Sequence, residues 1–125
     1  MKVEIWSDVM CPFCFIGKRK FEAALAQFAH RDQVEVVWKS FQLDPSLETD
    51  TSKSVQQSLA ESKGWSPEET AQNMSYVVNM AKEAGLTYHF DKAVVANSFD
   101  AHRFTHLAKK QGLQDQAEER LFASY

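Results

Sequence analysis

The chain has 125 residues, of which 44% are hydrophobic and 12% aromatic, and its formal net charge is −3. This composition supplies enough large side chains for a core and excludes an intrinsically disordered chain, a collagen-like sequence and a disulfide-rich scaffold. The charge gives no basic surface for nucleic acid, and no apolar run approaches the roughly 20 residues of a membrane span. Because the first residues also lack the apolar core of a signal peptide, we expect a cytoplasmic protein without nucleic-acid or membrane partners.

Residues 1–45 predict a strand, a helix and a second strand. Lys2–Ser7 alternates between apolar and polar side chains, as a half-buried strand does. Helical spacing begins at Pro12, which suits the first position of a helix, and continues to about residue 29. The predicted inner face of this helix holds Phe21, Ala24, Leu25 and Phe28. Residues 34–43 are apolar on both faces, which is typical of a parallel strand covered by helices and predicts a βαβ unit.

After Pro45 the pattern predicts helices and no further strand. Residues 46–53 form a polar, turn-rich stretch, and a short helix from Val55 ends at Gly64. A second helix begins after Ser66, with Glu69 completing a capping box. A third opens at residue 97 or 98, and a fourth is capped by Asp115. The predicted inner face of the fourth helix holds Ala117, Leu121, Phe122 and Tyr125.

The two cysteines, Cys11 and Cys14, lie where the loop after the first strand meets the first helix. The partial positive charge of a helix N-terminus favours a thiolate at Cys11 and lowers its pKa below the free value of about 8.5. Cys14 lies one turn along the helix, where it can attack a mixed disulfide formed at Cys11. The pattern therefore predicts Cys11 as the nucleophile and Cys14 as the resolving thiol.

Three other interpretations remain open from the residues alone. A static disulfide is not expected in a cytosolic chain. A zinc site could combine the cysteine pair with His102 and His106, although the two pairs lie much farther apart than the roughly 12 to 20 residues of compact zinc modules. A truncated, non-catalytic interaction domain would complete its sheet in a homo-oligomer or swapped dimer. Residues 18–20, Lys-Arg-Lys, are expected to form a solvated helix face.

Residues 6–19 read Trp-Ser-Asp-Val-Met-Cys-Pro-Phe-Cys-Phe-Ile-Gly-Lys-Arg and closely resemble the active-site segment of the FrnE-like branch of the DsbA family. Residues 41–45 and 97–103 resemble two further family blocks in the expected order. The resemblance implies an α/β thioredoxin-like fold with an α-helical insertion. Residues 1–45 would be the N-terminal βαβ part with the Cys-Pro-Phe-Cys motif, and residues 46–125 a helical insertion truncated at its C-terminal end. The closing strands and helix of the fold would be absent.

The same resemblance implies a thiol–disulfide oxidoreductase that oxidises, reduces or isomerises protein disulfides through Cys11 and Cys14. Pro12, Phe13, His102 and Arg103 are supporting site residues, and the last two are assigned by the family block alone. No metal or organic cofactor is required, because the disulfide itself is the redox group. The expected partners are protein or small-molecule thiols and disulfides, with glutathione or a dithiol as electron partner.

Overall fold

The computed structural model describes residues 1–125 and contains four strands and five helices. In chain order they are β1 (Lys2–Ser7), α1 (Pro12–Gln27), β2 (Glu35–Ser40), β3 (Asp50–Ser54), α2 (Val55–Lys63), α3 (Pro67–Glu83), β4 (Val94–Val95), α4 (Phe99–Lys109) and α5 (Gln114–Ser124). None of these helices is long and apolar enough to cross a membrane. The chain forms two compact units, one of Met1–Pro45 with Ser98–Tyr125 and one of Ser46–Asn97.

Strands β1 and β2 pair in parallel, with Val3 opposite Val36 and Ile5 opposite Trp38, which confirms the predicted βαβ unit. The adjacent residues Val37 and Trp38 are both buried, so β2 is covered on both faces. The strand ends at Ser40, earlier than the predicted residue 43. Beyond it the Phe41 N–H still donates to the Ser7 carbonyl at 3.0 Å, whereas the Leu43 N–H donates to the Asp8 carboxylate at 2.9 Å.

Helix α1 begins at Pro12, as predicted, with Cys11 at the N-cap in an extended conformation. The predicted inner face was wrong in part, because Ala24 and Phe28 are exposed. The buried residues of α1 instead lie in its first two turns: Phe15, Ile16 and Lys18. Phe15, in this first half of the helix, stacks on Phe122 of α5, so part of this burial lies beside the cysteines.

Helices α4 and α5 belong to the same compact unit as the βαβ segment. The ring of Phe122 stacks on Phe15 with centroids 5.1 Å apart and meets Trp38 edge-on at 6.3 Å. The predicted division placed all of residues 46–125 in one helical domain, and the structure differs for Ser98–Tyr125. Phe122 on the apolar face of α5 packs against Phe15 of α1 and Trp38 of β2. These contacts place Ser98–Tyr125 in the same unit as residues 1–45. The division at Pro45 itself coincides with the predicted one.

The unit formed by Ser46–Asn97 contains α2, α3 and a short antiparallel pair of strands. The predicted capping box is present, because the Ser66 hydroxyl accepts the Glu69 N–H and the Glu69 side chain accepts the Ser66 N–H. The expectation that no strand follows Pro45 was wrong: β3 pairs with β4 through Asp50 opposite Val95. The segment 50–54 carries no apolar alternation, so its strand is formed by tertiary pairing rather than by a local pattern.

Candidate active site

The loop between β1 and α1 places the two thiols at one helix N-terminus. The Cys11 N–H donates to the Asp8 carbonyl at 3.0 Å, and the Cys14 N–H donates to the Cys11 carbonyl at 3.0 Å. Both cysteines are half-buried free thiols, and their sulfur atoms share a hydrogen bond. Pro12 occupies the first turn, where it has no N–H to leave unpaired. The structure therefore brings together the two residues on which the predicted redox chemistry depends.

The hydrogen bond between the two sulfur atoms moves the two pKa values of the pair apart. The first ionisation becomes easier and the second harder, because after the first ionisation the remaining proton is shared between the two atoms. With Cys11 as the donor, this bond lowers the pKa of Cys14 to about 7 and raises the pKa of Cys11 above its usual range. After the first ionisation the pair therefore holds one proton and one thiolate between its two sulfur atoms.

Burial acts to raise the pKa of both thiols, and the backbone and carboxyl groups around the two sulfur atoms differ in their effects. Backbone N–H groups of Cys14 and Phe13 bond to the Cys11 sulfur and act to lower its pKa. One backbone N–H, that of Asp8, does the same for Cys14, but the carboxylates of Asp8 and Glu118 act to raise the Cys14 pKa. Two peptide dipoles thus stabilise a thiolate at Cys11, while two carboxylates disfavour one at Cys14.

A buried ion pair lies behind the cysteine loop. Asp8 Oδ1 is 3.2 Å from His102 Nε2, and Asp8 Oδ2 accepts the Leu43 N–H. Burial acts to raise the Asp8 pKa, but the hydrogen bonds from His102, from the Leu43 N–H and from Ser98 outweigh it and hold the pKa below its usual value. The hydrogen bond with Asp8 in turn raises the pKa of His102. The pair therefore favours carboxylate and imidazolium together.

Glu118 on α5 adds a second buried carboxyl group to this region. Its side chain is only 2% exposed, and its Oε2 atom has no hydrogen-bond partner. Burial raises the Glu118 pKa, against the opposing effects of the His102 imidazole and the Thr105 hydroxyl. Because Glu118 also acts on the pKa of Cys14, the redox pair and this carboxyl group form one electrostatic cluster.

A charged network fixes α5 to α1 next to the cysteine turn. Lys18 Nζ lies 2.9 Å from Glu119 Oε2 and also contacts Glu22, and Arg19 forms a two-bond pair with Glu119. Lys18 Nζ is also 5.8 Å from the centroid of the Trp38 ring. The expected solvated face was wrong for Lys18, which is 3% exposed, because its ammonium group is paired inside the helix–helix contact.

Phe13, Arg103 and His106 are the other residues that the sequence singled out for the site. Phe13 is 51% exposed on the first turn of α1. Arg103 points along the exposed side of α4, where its guanidinium donates to Asp100 at 3.1 Å. His106 Nε2 is 2.8 Å from the Ser40 hydroxyl. Since no group of three His, Cys, Asp or Glu residues is placed to hold a metal ion, the zinc alternative has no assembled ligand set.

An open groove of about 600 Å³ lies between the end of β2 and α4, with His102 in its wall. Its apolar lining includes Phe41, Phe99 and Leu107, and its cationic lining includes Arg103 and Lys110. Phe41 and Leu107 are more than half exposed. The groove therefore offers an apolar surface with positive charge on one side, adjoining the residue that pairs with Asp8.

Comparison with known proteins decides the family. The profile of the DsbA-like thioredoxin domain matches residues 2–125. This chain belongs to the DsbA-like thioredoxin-domain family. The family assignment accounts for the mixed α/β fold, in which helices follow the βαβ segment as an insertion.

A solved DsbA-like structure is similar over nearly the whole chain. It is a probable DsbA oxidoreductase from Streptomyces coelicolor, with 38% sequence identity and a TM-score of 0.88, and the match covers 98% of this chain and 52% of that one. The uncharacterised protein YwbO of Bacillus subtilis is 46% identical over 44 residues, which are 35% of this chain and 20% of YwbO. This DsbA-like chain thus spans about half the length of the solved relative.

The sequence analysis did not identify Asp8 or Glu118 as site residues, although a feature of the sequence points to each of them. Asp8 is a charged residue between the end of β1 and the cysteine pair. Glu118 precedes the core residue Phe122 by one helical turn, so it lies on the apolar face of α5. A carboxyl group on an apolar face is the pattern that could have identified it.

Proposed function

We propose that this DsbA-like chain carries the redox centre of a thiol–disulfide oxidoreductase, in which Cys11 and Cys14 alternate between a dithiol and a disulfide. The observation that carries the proposal is the hydrogen-bonded pair of free thiols at the N-terminus of α1. The family, and the solved relative that is described as a probable DsbA oxidoreductase, support the same chemistry. The disulfide is the redox group, so the reaction needs no metal or organic cofactor.

In the reductive direction, the Cys11 thiolate attacks a substrate disulfide. A bond forms between Cys11 and one substrate sulfur, and the other sulfur leaves as a thiolate with the electron pair of the broken bond. Cys14 then attacks the Cys11 sulfur, which forms the Cys11–Cys14 disulfide and releases the second substrate thiol. The chain is oxidised by two electrons and the substrate disulfide is reduced. The reverse sequence oxidises a substrate dithiol, and reduced protein acting on non-native disulfides would isomerise them.

Polypeptide thiols and disulfides are the substrates that we propose, with glutathione or a dithiol as the electron partner. The groove beside His102 supports this choice, because its apolar lining suits the side chains of an unfolded segment. The FrnE-like assignment, the cytoplasmic location and self-association through the sheet stay predictions. Size measurement over a range of concentrations tests the last of these.

Mixed-disulfide trapping tests the proposed function. Reduced Cys14→Ser protein, incubated with a disulfide-bonded polypeptide, should accumulate a mixed disulfide at Cys11 because the resolving thiol is absent. The matched Cys11→Ser variant should accumulate far less. Mass spectrometry of the wild-type chain in a glutathione redox buffer should detect the Cys11–Cys14 disulfide. Equal trapping by both variants, or a wild-type chain that never forms the disulfide, contradicts the proposal.

A further inference from the structure

The groove between the end of β2 and α4 lies within one compact unit, and hydrogen bonds join its two walls. Asp8 Oδ1 lies 3.2 Å from His102 Nε2 in the α4 wall, and Asp8 Oδ2 accepts the Leu43 N–H of the segment that follows β2. The Ser40 hydroxyl, at the end of β2, lies 2.8 Å from His106 Nε2, and both of these residues line the groove. Because these bonds lie within the chain itself, the groove is a largely preformed surface.

The length and the apolar lining of the groove suit an extended polypeptide. Its α4 wall runs from Phe99 to Lys110, which spans roughly 16 Å at about 1.5 Å per helical residue. About five residues of extended chain cover that length, at roughly 3.3 Å per residue. The side chains of Phe41, Phe99 and Leu107 line the groove and are each more than half exposed, so they offer apolar contact to such a segment. Glutathione is a tripeptide without an apolar side chain, so it would leave this lining uncovered.

The groove carries positive charge in a chain whose formal net charge is −3. Arg103 and Lys110 line it and are exposed, and none of its lining residues is an aspartate or a glutamate. Arg103 pairs with Asp100 at 3.1 Å, but the two side chains of this pair are 72% and 86% exposed. An exposed pair of this kind contributes little stability, so a ligand carboxylate can take the place of Asp100 at small cost. The groove therefore complements a ligand that is both apolar and acidic.

We propose that Arg103 and Lys110 make this groove selective for polypeptide segments in which acidic side chains adjoin apolar ones. The two cations lie about two helical turns apart on α4, which is roughly 10 Å along the helix. About three residues of extended chain span the same distance, so one acidic side chain can meet each cation. Apolar side chains between the acidic ones then lie against Leu107, which is one turn from each cation. This inference rests on the proposed redox function, because it concerns the polypeptides with which Cys11 exchanges disulfides.

Binding of two matched peptides tests the inference. Both are fluorescently labelled and free of cysteine, and each has leucines between two flanking residues, which are glutamates in one peptide and glutamines in the other. By fluorescence anisotropy, wild type should bind the glutamate peptide about 3- to 10-fold more tightly at low salt, and the difference should shrink as the salt concentration rises. The double variant of Arg103→Gln and Lys110→Gln should bind the two peptides equally, and Lys110→Gln alone should lose part of the preference. Its matched control Lys109→Gln removes the same charge one residue away, at an exposed position outside the groove lining, and should keep the full preference.

The inference is overturned if wild type binds neither peptide or binds both equally, or if Lys109→Gln loses as much of the preference as Lys110→Gln. Glutathione disulfide should fail to displace the glutamate peptide, and displacement at similar concentrations would overturn the choice of a polypeptide as the occupant. Because the peptides have no cysteine, these results do not depend on Cys11 or Cys14. The redox function fails separately if the groove binds the glutamate peptide selectively but a disulfide-bonded derivative of that peptide never forms a mixed disulfide at Cys11.

Discussion

Asp8 Oδ1 lies 3.2 Å from His102 Nε2, although the two residues are 94 positions apart in the chain. Both side chains are buried. The Asp8 backbone carbonyl also accepts the Cys11 N–H at 3.0 Å, so this residue joins the cysteine loop to α4. Asp8 Oδ2 accepts the Leu43 N–H, so the same carboxylate also anchors the segment that follows β2. The position of the redox pair therefore depends on a contact that no local sequence pattern contains.

Replacing His102 with leucine should destabilise the fold. The substitution leaves the Asp8 carboxylate buried without its cation, and breaking a buried pair in this way costs about 3–5 kcal/mol. Urea unfolding followed by circular dichroism measures the change in the free energy of unfolding. Arg103→Gln, on the exposed side of the same helix, is the matched control and should lie within about 0.5 kcal/mol of wild type. A His102→Leu variant as stable as this control contradicts the assigned role of the pair.

The Asp8–His102 pair also predicts how stability changes with pH. His102 has a pKa raised above its ordinary 6.5, so its contribution is complete below about pH 6.5 and is lost as the pH rises through the higher folded value. Asp8 has a pKa lowered from 3.8, so its contribution is complete above about pH 4 and is lost on acidification. Wild type should lose stability above about pH 6.5, and His102→Leu should lose less over the same interval. Parallel curves in urea unfolding at each pH contradict this.

Phe122→Ala should remove the aromatic contact that attaches α5 to the βαβ unit. The ring stacks on Phe15 at 5.1 Å and meets Trp38 at 6.3 Å, and it is 1% exposed. Truncating such a buried phenylalanine costs about 3–5 kcal/mol. The control is Phe104→Ala on α4, whose ring is 53% exposed and should cost far less. Thermal unfolding of the two variants makes the comparison, and equal losses would count against the described packing.

Glu119→Gln should change how the free energy of unfolding depends on pH below about pH 4.5. The hydrogen bond from Arg19, followed by the effects of Lys18, lowers the Glu119 pKa from 4.5 to about 2. Its stabilising contribution is therefore present above about pH 4.5 and is lost as the pH falls toward 2. The variant should be less stable at neutral pH and should show a shallower loss below pH 4.5. Lys20→Gln, on an exposed position of α1, should keep the wild-type acid dependence, and an unchanged acid limb in Glu119→Gln contradicts the network.

The groove between β2 and α4 predicts that substitutions in its lining slow exchange with polypeptide substrates more than exchange with glutathione disulfide. Replacing Phe41 and Leu107 together with alanine removes apolar lining while leaving the cysteine loop unchanged. The rate of exchange with an unfolded, disulfide-bonded polypeptide should fall by about 10-fold or more, since one lost apolar contact is worth about 1–3 kcal/mol. The rate with glutathione disulfide should stay close to wild type. If the exchange rate fell equally with both substrates, the substitutions would be acting on the thiols, and the groove would not be the polypeptide-binding surface.

Local patterns predicted the elements whose partners are close in sequence. Alternation in β1, the proline at the start of α1 and the two-faced burial of β2 together predicted a parallel βαβ unit. The capping box of Ser66 and Glu69 marked the start of α3 in the same way. In each case the stabilising group lies within a few residues, so the sequence alone contains the relevant chemistry.

Contacts between distant segments could not be predicted in this way. Strand β3 is a polar segment that becomes a strand only through β4. Lys18 is buried because acidic side chains of α5 pair with it, and the helix pattern of α1 alone cannot contain those partners. Asp115 was expected to cap α5, but the helix begins at Gln114 and Asp115 accepts the Trp38 ring N–H at 3.1 Å. Tertiary hydrogen bonds outweigh the local preference at each of these positions.

The pH dependence of alkylation at each cysteine tests the redox account most directly. Reduced protein would be alkylated briefly between pH 4 and 9, and mass spectrometry would assign the modification to Cys11 or Cys14. We predict that Cys11 reacts first, with an apparent pKa well below the free value of about 8.5, and that Cys14 reacts more slowly. Faster reaction at Cys14 would reverse the assigned roles. Similar rates with apparent pKa values near 8.5 at both positions would contradict the existence of a redox centre in this chain.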